Sequence, residues 1–170
     1  LGGVNFYKTN GEVSWYYPLL WRFVGMLHGK IGFANGYGDE QLPIFERYFM
    51  GGAFDLRGFN FRDVGPRDAD GNSIGGNKLL LFNAEIQYPF TQNVRGIIFY
   101  DRGNVYGSGD GYDLSRTNID YDLIDMRHGI GFGIRFFSPI GPISLAYGFK
   151  LDRRADESKS EFHFTAGSAF

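Results

Sequence analysis

The chain contains no cysteine. That excludes a disulfide framework, a thiolate metal site and a thiol nucleophile, and leaves the compartment open. It also lacks any run of about 18–20 consecutive apolar residues, the length a membrane helix requires. Leu1 to Asn10 has neither the charged n-region nor the apolar h-region of a signal peptide, and the start at Leu1 predicts a fragment or a processed product. Alanine and leucine do not dominate, which argues against long helices. The net charge is only −2, so no nucleic-acid footprint is expected. His28, His128 and His163 share no metal-ligand spacing and read as wall residues of a sheet. Asp68-x-Asp70-x-Asn72 begins like a calcium loop, but Ser73 and Leu79 stand where the EF-hand needs Gly and Glu. Gly129-x-Gly131-x-Gly133 sits inside a strand pattern and lacks both the full dinucleotide fingerprint and its helix. No Ser/His/Asp grouping has a supporting context. The sequence therefore predicts no enzyme, no cofactor and no metal.

Glycine and aromatics are abundant: 26 of 170 residues are Gly, and 18% are aromatic, mainly Phe and Tyr. Aromatic residues favour strands. Seven segments alternate with period two between turn residues, at about 4–17, 20–34, 77–90, 94–106, 126–137, 143–152 and 161–170. In the third, Leu80, Phe82, Ala84, Ile86, Tyr88 and Phe90 oppose Asn83, Glu85 and Gln87. In the fourth, Ile98 and Tyr100 oppose Phe99 and Asp101, and Arg102 falls on the apolar face as a blemish. In the fifth, Ile130, Phe132, Ile134 and Phe136 oppose Gly129, Gly131, Gly133 and Arg135. In the last, Phe162, Phe164, Ala166 and Phe170 oppose His163, Thr165 and Gly167.

The connections alternate in length. Those near Pro18, Thr91 and Pro139 are short, whereas 35–76, 107–125 and 153–160 are long. Transmembrane β-barrels have short periplasmic turns and long outer loops. The slightly negative mean hydropathy does not oppose this, because lipid-facing and lumen-facing residues alternate and cancel. A soluble β-sandwich that binds a ligand also alternates and stays open on pattern alone. The aromatic character of the apolar face, strand after strand, favours the barrel. Seven strands cannot close an antiparallel barrel, and an open edge is not tolerated in lipid, so further strands must come from elsewhere.

Several stretches resemble the BamA superfamily of outer-membrane proteins. Gly51 to Phe59, with Leu56-Arg57-Gly58-Phe59, resembles its (V/L)RG(F/Y) loop motif. Phe99-Tyr100-Asp101-Arg102-Gly103-Asn104 resembles its aromatic-Asp-x-Gly strand motif. Gly131 to Pro142 resembles the penultimate hairpin, and Phe162 to Phe170 the closing strand with its terminal aromatic. The resemblance spans nearly the whole chain, in order.

It implies an all-β fold: the last seven strands of a sixteen-stranded transmembrane antiparallel barrel, preceded by periplasmic POTRA domains. Loop 35–76 would fold into the lumen, and Arg57 would meet the inner wall at Glu85 and Asp101. A guanidinium leaving water needs carboxylates, and its planar fork suits them. Gly58 would allow a tight turn and Phe59 would pack. Phe162, Phe164, Gly167 and Phe170 would form the closing strand and its seam, with Gly167 a bend point. The implied function is insertion and folding of β-barrel proteins in the bacterial outer membrane. The implied partners are the lipid bilayer, unfolded outer-membrane proteins and accessory assembly lipoproteins. An export channel of the same superfamily, as in two-partner secretion or the TamA type, is the alternative.

Overall fold

The computed structural model describes residues 5–37, 42–107, 122–139 and 141–167. Val4, at the start of the first expected strand, and Phe170, the terminal aromatic, lie outside them. Seven strands follow in chain order: β1 (Phe6–Pro18), β2 (Val24–Gly36), β3 (Lys78–Pro89), β4 (Val94–Tyr106), β5 (Arg127–Ser138), β6 (Gly141–Lys150) and β7 (Ser160–Ala166). They form one sheet in the order β1 to β7, each strand antiparallel to its neighbours. The fold is all-β, as the alternation predicts. Antiparallel succession puts the three short connections on one rim of the sheet and the three long ones on the other.

Burial is inverted relative to a water-soluble sandwich. The aromatic and aliphatic face is exposed, including Leu27, Ile86, Ile98, Phe132, Phe162 and Phe164. The opposite face buries His28, Asn83, Glu85, Gln87, Asp101, Arg127, Lys150 and His163. A continuous exposed apolar face is the signature of a surface that meets lipid, not water. No described helix is long and apolar enough to cross a membrane.

What covers the polar face is the segment between β2 and β3. It opens with a short 3-10 turn, Ile44–Glu46, and is pinned by isolated bridges Tyr48↔Gly76, Met50↔Val64 and Arg67↔Ser73. Its apolar residues Leu42, Met50, Leu56, Phe59 and Val64 form a core with Ala34, Leu79, Leu81 and Val105 of the sheet. This explains the run Leu79-Leu80-Leu81: Leu80 points outward, while Leu79 and Leu81 point at the loop.

Strand ends differ from the expected ones where turn chemistry intervenes. β2 begins at Val24, not Leu20, because Leu19 to Phe23 make the hairpin turn. The Leu19 N–H donates to the Phe23 carbonyl at 2.8 Å, and Trp21 takes a left-handed conformation with φ 64°. Trp21 is therefore a turn residue, 92% exposed. β5 starts at Arg127 and β7 stops at Ala166, leaving Met126 and Gly167 just outside. Arg102 does lie on the outward face, near the end of β4, and its guanidinium donates to the Leu123 carbonyl of the following connection. It thus leaves the apolar belt for the loop rim.

Candidate functional site

The loop tip is built around one arginine. Arg57 Nε donates to Asp101 Oδ2 at 2.7 Å and Nη2 donates to Asp101 Oδ1 at 2.7 Å. The Arg57 backbone N–H donates to the same Oδ2 at 3.0 Å, and Nη1 donates to Glu85. The guanidinium carbon lies 3.7 Å from the centroid of the Phe99 ring. Arg57 is 4% exposed, and the side chains of both carboxylates are fully buried. Burial works against the Arg57 charge, and Asp101 and Glu85 more than offset it, raising its pKa further. The charge is balanced locally, since Arg135 also approaches Glu85 at 3.4 Å.

The carboxylates are themselves held. Asn83 Nδ2 donates to Asp101 Oδ1 and to the Asp55 carbonyl of the loop, both at 2.8 Å. Gln87 Nε2 donates to Glu85 Oε2 at 2.9 Å. His28 bridges Asn83 and Glu12, at 2.9 and 3.1 Å. Alternation along β3 and β4 puts Asn83, Glu85, Gln87, Phe99 and Asp101 on one face. Antiparallel register brings Asn83 opposite Asp101 and Glu85 opposite Phe99. The sheet is thus a preformed socket, and the loop supplies the cation.

Gly58 takes φ 96°, where a side chain would be strained, and its N–H donates to His163 Nε2 of β7 at 2.9 Å. The loop backbone rides on bare wall: a Cβ at Gly148 would come within 2.7 Å of the Gly58 Cα, and one at Gly129 would strike the Arg57 carbonyl oxygen. Leu56 and Phe59 are fully buried. Phe59 sits between two cations, 4.8 Å from the Arg127 guanidinium and 5.4 Å from the Lys150 ammonium. Arg127 is fixed by Asp152 and Glu157 of the connection after β6, each at 2.6 Å.

Leu56, Arg57, Gly58 and Phe59 are therefore brought together with Glu85 and Asp101. In the closing strand, Phe162 and Phe164 point outward, while Gly167 follows β7 with φ 112°, its N–H donating to the Pro142 carbonyl at 2.9 Å. Among the described residues no atom lies within 4 Å of a Cβ placed on Gly167, and its φ of 112° is by itself a conformation that favours glycine. Phe99, Asn83, His163 and the Arg127–Glu157 pair belong to the same assembly; the sequence puts Phe99 in the strand motif and Asn83 and His163 on the polar face, without a role toward the loop. Phe99 had a signal: an aromatic on the polar face. Asp68, the first acid of the calcium-like run, accepts the backbone N–H groups of Asn72 and Asp70 and so closes its own turn. Among the described residues no group of three or more His, Asp or Glu is placed to hold a metal.

The Omp85 superfamily domain matches residues 1–170. The outer membrane protein assembly factor BamA of Neisseria meningitidis is 28% identical over 98% of this chain. That of Nitratidesulfovibrio vulgaris is 33% identical over 99% of it. The chain spans 24% and 21% of those two relatives. The crystal structure of BamA from Haemophilus ducreyi lacking POTRA domains 1–3 superposes with a TM-score of 0.79 at 28% identity, covering 98% of this chain and 35% of that one. The chain belongs to the Omp85 superfamily and forms a stretch of BamA-type β-barrel.

Proposed function

We propose that the protein containing this chain inserts and folds β-barrel proteins in the bacterial outer membrane. The observation that carries the reading is a charged loop tip buried against the polar face of a sheet whose apolar face is exposed. Only a barrel wall with lipid outside and a loop inside reconciles those two faces. Relatives at near-full coverage of this chain are named as outer-membrane assembly factors, which supports the activity.

In this reading the barrel closes with strands from the rest of the protein, sixteen in all, and POTRA domains lie on the periplasmic side. Its partners are the bilayer, unfolded outer-membrane proteins and accessory assembly lipoproteins. The docked loop braces the wall: its contacts run from Lys8 and Asn10 on β1 to His163 on β7. β7 (Ser160–Ala166) is followed by Gly167 in a left-handed conformation, φ 112°, and in this reading that bend makes the closing edge yield more readily than the β2–β5 wall. A yielding edge offers unpaired N–H and C=O groups to an incoming strand. The work is non-covalent and draws on the folding energy of the client.

The test places the full-length parent in liposomes and follows folding of an unrelated outer-membrane barrel. Faster folding than in empty liposomes supports the assembly reading. No acceleration, with ion conductance or cargo export instead, moves the function to a transport channel of the same superfamily.

A further inference from the structure

The outward face carries a depression unrelated to the loop. Register aligns Trp15, Leu27, Ala84, Tyr100 and Ile130 in one row across five strands. The next row toward the short-turn rim is Tyr17, Gly25, Ile86, Ile98 and Phe132. Gly25 and Ala84, small and on adjacent strands, leave a hollow among large neighbours. Trp15, Tyr17 and Leu19 wall one side and Tyr100 the other, enclosing about 540 Å³. The lining is almost wholly apolar.

Leu19, which lines the hollow, begins the turn Leu19 to Phe23. There Leu20 and Trp21 project with 85% and 92% exposure. Arg22 also stands exposed on this turn, its guanidinium 6.0 Å from the centroid of Tyr88, which packs on Phe23 at 4.9 Å. Among the described residues Arg22 has no hydrogen bond or ion pair. An arginine at a membrane rim, held over an aromatic ring and lacking a carboxylate, has all its donors free for an oxyanion. Short turns mark the periplasmic rim, so the anion available there is a lipid phosphate.

We propose that this hollow and Arg22 form a binding site for one anionic diacyl phospholipid of the periplasmic leaflet. An acyl chain lies over Gly25 and Ala84, and the phosphate meets Arg22. Apolar burial and a charge-assisted hydrogen bond act at opposite ends of one molecule. The inference rests on the membrane placement of the barrel and not on its assembly activity.

The test uses the full-length parent in detergent and native mass spectrometry with phosphatidylglycerol and, separately, diacylglycerol of the same chains. Arg22→Gln lowers retention of phosphatidylglycerol about tenfold, the scale of one charged hydrogen bond, and leaves diacylglycerol unchanged. Ala84→Phe fills the hollow and lowers both. Arg153→Gln, on the opposite rim, changes neither. Because Arg22 lies in an exposed turn, its variant tests the headgroup contact without disturbing the wall. Phosphatidylglycerol retention equal in Arg22→Gln and Arg153→Gln overturns the proposal, as does an unchanged retention of both lipids in a folded Ala84→Phe barrel.

Discussion

Arg57 satisfies two buried carboxylates at once, and its removal is felt mainly through what it leaves behind. Arg57→Ala strands Glu85 and Asp101 in the lumen wall, a loss of about 3–5 kcal/mol for a broken buried pair. Arg62, exposed beside Phe49 and Phe61, gives up about 1 kcal/mol or less. Chemical unfolding of the full-length parent and its two variants checks that order; equal losses would remove the docking argument. Arg57→Lys keeps the charge but not the fork, so it falls between wild type and Ala. At Gly148, Ala pushes a methyl group into the Gly58 backbone. Gly148→Ala therefore releases the loop, seen as protease cleavage within 51–60 that wild type resists. Glu85 and Asp101 were legible as polar-face positions by parity alone, and their pairing with Arg57 only through the resemblance. Asn83 and His163 stood on the same face, but parity says which way a side chain points and nothing of which loop atom it meets.

Elements carry a second set of consequences. The connection after β6 folds back because Glu157 and Asp152 hold Arg127 over Phe59. Partial burial opposes ionisation of Glu157, but the Arg127 hydrogen bond and the Arg154 N–H prevail and hold its pKa below the usual carboxylate range. A depressed folded pKa stabilises above the unfolded value, about 4.3, and that stability is lost as pH falls through the folded value. Hydrogen exchange should show residues 151–159 protected at pH 7 and opening below about pH 4, with Glu157→Gln open at both. Gly167→Ala meets no steric neighbour among the described residues, and its left-handed φ costs about 1–3 kcal/mol of backbone strain. It should loosen the end of the β6–β7 hairpin in the same exchange experiment and leave β2–β4 unchanged. The seven strands themselves were readable from period-two alternation, because each buries one kind of side chain and exposes the other. The β1–β2 turn was not: Trp21 continues the apolar parity, and only its left-handed φ takes it out of the strand. The docking of residues 42–77 was legible only through the resemblance, since the glycines and acids by themselves mark a loop without saying what it packs on.

At the scale of the whole molecule, a water-soluble sheet and a lipid-facing sheet share one alternation pattern and differ in which face is covered. Here the charged face is covered by the chain's own loop and the aromatic face by nothing among the described residues, which agrees with lipid on the outside of a BamA-type barrel. The wall and its brace then act as one body, and under the proposed function the assembly activity depends on the brace. The decisive measurement compares the full-length parent with Arg57→Ala in liposomes, at matched amounts of folded barrel, by the rate at which an unrelated outer-membrane barrel folds. The account predicts clear acceleration by the parent, a marked loss in Arg57→Ala and partial recovery in Arg57→Lys. Undiminished acceleration by folded Arg57→Ala would contradict it.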